Sequence, residues 1–180
     1  MNIRISVNRL KKAVLVLLSA GIMIGMSGCG HDVSKKVDGL KESGYVAEEA
    51  DKGFCVSEDG VDYYFERCLT GFAFKKAELK APSKNDDRQA TVTVSKQGIN
   101  RMHVLFVSPY LKRNDGDGKE PGSASFSFKF KNGFTKENLT NNRGFHDTNG
   151  DYDSMTGTYL SAEELQSIYD RGLNLEKEIN

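Results

Sequence analysis

Two stretches of this chain alternate apolar and polar residues with a period of two, a pattern that gives a helix no apolar face. In Gln89–Ser95, Ala90, Val92 and Val94 fall opposite Thr91, Thr93 and Ser95; in Ser123–Lys131, Phe126, Phe128 and Phe130 fall opposite Ser125, Ser127, Lys129 and Lys131. Successive side chains of a strand point to opposite faces, so each stretch predicts a half-buried strand. Three phenylalanines on one face stabilise by about 1.5–3 kcal/mol each if buried. The other use of such a row is an exposed aromatic binding strip.

Turn signals punctuate the pattern. Asp59-Gly60 predicts a two-residue hairpin between Phe54–Glu58 and Val61–Phe65. A further strand is expected over Gly71–Leu79, then a polar loop Lys80–Arg88 containing Pro82. Ile99–Val107 follows, and its apolar run Val104–Val107 predicts a central strand covered on both faces. Ser108–Gly122 reads as a long loop, and Asn132-Gly133 as another turn before a poor strand, Phe134–Thr140. Val33, Val37, Leu40 and Val46 lie at helical spacing, predicting a helix from Val33 to about Ala50, interrupted or ended near Ser43-Gly44. Ser161-Ala162-Glu163-Glu164 fits a capping box, and Leu165, Ile168, Tyr169 and Leu173 continue a helical face, with Gly172 a point where it could fray. The expected fold is α+β: an antiparallel twisted sheet of about five or six strands with an N-terminal and a C-terminal helix.

The N-terminus obeys a different grammar. Arg4, Arg9, Lys11 and Lys12 stand without an acidic residue before a 14-residue apolar run, Ala13–Met26. At ~1.5 Å per residue such a helix spans about 21 Å, short of a ~30 Å hydrocarbon core, so a secretory signal is the better reading than a membrane span. Met26-Ser27-Gly28-Cys29 completes it. Here the chain resembles the bacterial lipoproteins, whose signals end in a four-residue lipobox; Met26 stands where that family most often has Leu. The resemblance implies cleavage between Gly28 and Cys29 and a diacylglyceryl group on the Cys29 thiol. Two or more acyl chains, at ~0.8 kcal/mol per CH₂, hold a protein stably on a bilayer. The expected organisation is residues 1–28 as a removed signal peptide, 29–36 as a lipidated tether and 37–180 as a single α+β domain. The expected location is the extracytoplasmic face of a cell membrane, with the lipid bilayer as first partner.

Removal of 28 residues from 180 leaves 152, enough for one domain with a proper core. Charge is uneven along the mature chain: residues 29–70 carry 5 basic and 10 acidic groups, 71–136 carry 13 and 6, and 137–180 carry 3 and 9. The basic middle either offers a face to an anionic partner such as a wall polymer or complements its own acidic flanks. It has no arginine-rich stripe, so no nucleic acid is expected.

Cys55 and Cys68 remain after Cys29 is used. An exported domain permits a disulfide. The hairpin register, however, sets Cys55 opposite Tyr64 and leaves Cys68 about 13 Å along at ~3.4 Å per residue, beyond the ~7 Å that a bridge tolerates. The pair is a candidate disulfide that requires the second strand to bend.

The sharpest candidate site is Asp147-Thr148-Asn149-Gly150-Asp151-Tyr152-Asp153. Its alternate oxygen-bearing side chains, Asp147, Asn149, Asp151 and Asp153, suit Ca²⁺, which takes 6–8 oxygen ligands. The loop resembles the calcium loops of EF-hand and dockerin-like proteins in part only: Tyr152 replaces the turn glycine, and Thr158 stands where a bidentate Glu belongs. An Asx-rich solvated loop is the plainer reading; Asp115 and Asp117 are a weaker echo. For catalysis, His31, His103 and His146 are dispersed, and neither a nucleophile elbow, a His-Glu-x-x-His zinc motif nor a phosphate-cradling glycine loop is present. The leading expectation is a non-catalytic lipoprotein that binds a protein or envelope component and requires no cofactor. A calcium-dependent module and a hydrolase or inhibitor with a dispersed site are the alternatives.

Overall fold

Every strand pairs with the strand that follows it in sequence. In the computed structural model the described residues are 32–112, 121–129, 132–144 and 150–180. They form one eight-stranded antiparallel meander: β1 (Val46–Ala50), β2 (Gly53–Glu58), β3 (Val61–Cys68), β4 (Gly71–Pro82), β5 (Gln89–Gln97), β6 (Arg101–Lys112), β7 (Pro121–Lys129) and β8 (Leu139–Gly144). Three helices accompany it: α1 (Val33–Glu42), α2 (Tyr152–Thr158) and α3 (Ala162–Ile179). The class is α+β, as expected, with eight strands in place of five or six.

The two extra strands lie at the sheet's ends, where local signals were weakest. Of the two expected outcomes at Ser43-Gly44 the helix ends there, and Val46, although it continues the spacing of Val33, Val37 and Leu40, begins a strand. Gly44, at φ +89°, turns the chain instead, and the Ser43 backbone N–H closes α1 on the Gly39 carbonyl. β8, Leu-Thr-Asn-Asn-Arg-Gly, has poor strand propensity and is held by its pairing with β7. The first residue of α1 is Val33, capped by the Asp32 carboxylate, so helix occupies half of the expected 29–36 tether. The lipobox lies outside the described residues.

One face of the sheet is buried. Phe54 and Val56, Tyr63 and Phe65, Phe74 and Ala77, Val92 and Val94, Val104 and Phe106, Phe126 and Phe128 point into it. Val37 and Leu40 of α1, Met155 of α2, and Leu165, Tyr169, Leu175 and Ile179 of α3 join the same apolar cluster. β6 is not covered on both faces: Leu105 and Val107 are half-buried on the outer side. Phe126 and Phe128 are core, not a binding strip. Gly172 does not fray α3, because it is the gap into which the Phe74 ring fits.

β4 is longer than its partner allows. From Lys76 to Pro82 it pairs with β5, whereas Gly71–Lys75 pairs only with β3, leaving one edge of that half-strand open. Buried backbone donors need partners, and α3 supplies them. Asn180 accepts from the Phe72 N–H at 3.0 Å and donates to the Phe72 carbonyl at 2.8 Å, while Glu176 accepts from the Phe74 N–H at 2.8 Å. The end of α3 thus stands in for a missing strand.

Candidate functional site

The Asn132-Gly133 turn carries the chain off the end of β7, with Gly133 at φ +84°, a conformation that favours glycine. Phe134 then drops into the core, its ring 5.2 Å from Phe128 and 5.7 Å from Tyr169, and the Tyr152 hydroxyl donates to the Phe134 carbonyl. These contacts hold the 133–135 segment beside α3. A groove of about 640 Å³ lies between them, its helical wall made by Glu163, Gln166, Ser167, Asp170 and Asn174.

Within the groove Gln166 donates to Asp170 at 2.9 Å, while its Oε1 is buried without a hydrogen-bond partner among the described residues. Arg171 also lines it, but its guanidinium is committed: it donates to both Glu58 oxygens, at 2.7 and 3.2 Å, and to Glu178 at 2.7 Å. Glu163 and Asp170 are exposed, so the groove sets carboxylates and amides around a mostly apolar lining. Such a surface suits a ligand with an apolar body and hydroxyl, amide or cationic edges.

The outer face of the sheet carries the second concentration of titratable groups. Lys76 Nζ lies 2.7 Å from Glu78 and 4.5 Å over the Tyr64 ring, and Ser57 donates to Asp62 at 2.6 Å. Cys55, opposite Tyr64 as its register predicted, is 2 % exposed, and burial pushes its thiol up to about 11. It is therefore protonated at neutral pH and a poor nucleophile. Burial lowers His103 below its ordinary 6.5, leaving the imidazole neutral.

No family model, curated protein or solved structure matches this chain.

The other sequence-derived candidates are not gathered into one place. Cys55 and Cys68 are free thiols, one buried and the other exposed beyond the Glu66–Ala73 pair of the hairpin; β3 does not bend to bring them together. Asp147 and Asn149 lie outside the described residues, as do Asp115, Asp117, His31 and His146. Asp151 caps α2, its carboxylate accepting from the Ser154 N–H at 2.7 Å, and that backbone bond holds it below its ordinary 3.8. Asp153 pairs with Lys136. A calcium role for this loop would require both carboxylates to leave these partners. The groove itself had no signal as a motif. It arises where the outward stripe of α3 faces a turn thirty residues earlier in the chain, and only the Asn132-Gly133 turn was legible beforehand.

Proposed function

We propose that this protein is a lipoprotein anchored at the extracytoplasmic face of a membrane, and that its domain is a non-catalytic module binding a protein or envelope polymer through the α3 groove. The observation that carries the reading is one of spacing. The candidate lipidated residue, Cys29, precedes the α1 cap, Asp32, by three residues, and α1 is packed into the core. At ~3.3–3.6 Å per residue three residues reach at most about 10 Å, so a lipid on Cys29 would hold the domain close to its membrane. Support for the groove as contact surface comes from its concave shape and from Glu163, Ser167, Asp170 and Asn174, all exposed along its helical wall.

The anchor is tested by intact mass and detergent partitioning of membrane-extracted protein. Acyl mass on Cys29 is expected, with loss of processing and of membrane retention in Cys29→Ser; normal processing and retention in that variant would remove the lipoprotein reading. The groove is tested by placing a photo-cross-linking residue at Ser167, which should capture an envelope component that the same residue at Asp38 does not. Identical capture from both positions would place the contact elsewhere.

A further inference from the structure

Among the described residues, the large apolar side chains left exposed are Val46, Leu69 and Ile99. Val46 lies at the start of β1. Leu69, 100 % exposed, and Ile99, 84 % exposed, form the tips of the β3–β4 and β5–β6 turns. In an antiparallel meander alternate turns share one end of the sheet, so both tips project from the same end. Singly exposed apolar residues need no explanation of their own, and the two tips gain meaning only from the charges around them.

The chain also enters from that end. Lys36, in the first turns of α1, donates to the Ile179 carbonyl, and the adjacent Asn180 bonds both backbone groups of Phe72, three residues after Leu69. The beginning of α1 is therefore beside the start of β4. The charge at this end points to the partner's sign. Lys52, Arg67, Arg101 and Lys129 are exposed there, and no ion pair engages any of them among the described residues. Of the acidic groups at this end, Glu66 is held by Lys75 at 3.3 Å and Asp51 is exposed beside Lys52 in the β1–β2 turn, so basic groups remain in excess. Arg101 and Lys129 stand directly opposite each other across β6 and β7. Like charges in that position repel, and an anion between them would remove the penalty. Opposite, the β2–β3 turn carries Asp59 next to Glu58, which Arg171 holds, and the β4–β5 turn balances Asp86 and Asp87 with Lys84 and Arg88.

We infer that this end of the sheet is a second membrane contact, at which Leu69 and Ile99 enter the interface of an anionic bilayer while Lys52, Arg67, Arg101 and Lys129 meet lipid phosphates. The inference rests on the lipoprotein reading, because a three-residue tether at this end leaves the turn tips within reach of the leaflet. A lipid chain and an interfacial basic–apolar patch together act as two anchoring signals. The domain would then stand on the bilayer in one orientation, with the β2–β3 and β4–β5 turns directed away.

The molecule supplies its own probe site. Cys68 is exposed and adjacent to Leu69, whereas Cys55 is buried with a raised thiol, so an environment-sensitive fluorophore goes to Cys68 selectively. Lipidated full-length protein labelled there is reconstituted into phosphatidylglycerol-containing vesicles. A blue shift, a several-fold rise in emission and quenching by brominated lipid are expected, together with none of these from the same label at position 87 in Cys68→Ser/Asp87→Cys. Leu69→Asp/Ile99→Asp should abolish the response at position 68 while the protein still floats with the vesicles. Protein that is acylated and floats, but whose label at 68 stays as hydrated as that at 87, overturns the inference. So does a blue shift seen only after envelope extract is added, since the tips would then face a protein. Absence of acyl mass or of flotation would count instead against the anchor itself.

Discussion

Gly39 and Gly172 are both helical glycines, and a methyl group would meet different surroundings at each. At Gly39 on α1 nothing lies within 4 Å of the new carbon. Alanine there should raise stability by about 1 kcal/mol through helix propensity alone. At Gly172 the same carbon would collide with the Phe74 ring, which is itself fully buried against Tyr169 and Phe65. The propensity gain of ~1 kcal/mol is then outweighed by an overpacking cost of about 1–3 kcal/mol or more. Chemical denaturation of the two variants should therefore give shifts of opposite sign. Equal shifts would mean that the ring moves aside without cost.

At the level of elements, the join between α3 and β4 concentrates the consequences. Asn180→Ala strips partners from the Phe72 N–H and carbonyl, and Glu176→Ala strips one from the Phe74 N–H; each is expected to cost about 1–3 kcal/mol, the penalty for leaving such groups unsatisfied. Hydrogen exchange should show the Phe72 and Phe74 amides losing protection first, ahead of the β5–β6 ladder. The helix starts predict an acid response. The Ser154 N–H holds Asp151 below its ordinary 3.8, and the Ser161 N–H holds Glu164 below its ordinary 4.5. A depressed carboxylate contributes stability that is present above its unfolded value and lost as pH falls through the folded one. Melting temperature should therefore fall as the medium is acidified below about 4.5, and Asp151→Asn/Glu164→Gln should flatten that fall.

What was legible at this scale follows from how local each signal was. The Asp59-Gly60 hairpin, the β5 and β7 alternation and the Ser161–Glu164 capping box are written in neighbouring residues, and the structure carries all of them. β1 and β8 are edge strands whose character comes from one partner, so the spacing of Val46 pointed to helix at the first and propensity underrated the second. α2 was hidden by its acidic surroundings, although Tyr152, Met155 and Tyr159 fall at helical spacing and are all buried. The groove was illegible because its two walls meet only through the tertiary packing of Phe134.

For the whole molecule, burial of three phenols sets the alkaline limit. Burial pushes Tyr63, Tyr152 and Tyr169 each up to about 12, from an ordinary 10.0. A raised group contributes stability that is complete below the unfolded value and disappears as pH rises through the folded one. Between pH 10 and 12 the protein should thus unfold progressively, and phenolate absorbance should rise in step with loss of the near-ultraviolet dichroism. Ionisation of all 7 tyrosines before any loss of structure would contradict their burial.

The neighbour-to-neighbour ordering of the strands also bears on assembly. A polypeptide that emerges one end first, from a ribosome or a pore, can zip each new strand onto the one just laid down without waiting for distant sequence. What it cannot complete early is the seam beside Phe72 and Phe74, whose partners arrive more than a hundred residues later. Until α3 docks, the nascent sheet has an unzipped corner open to other chains; that helix is the clasp that shuts it.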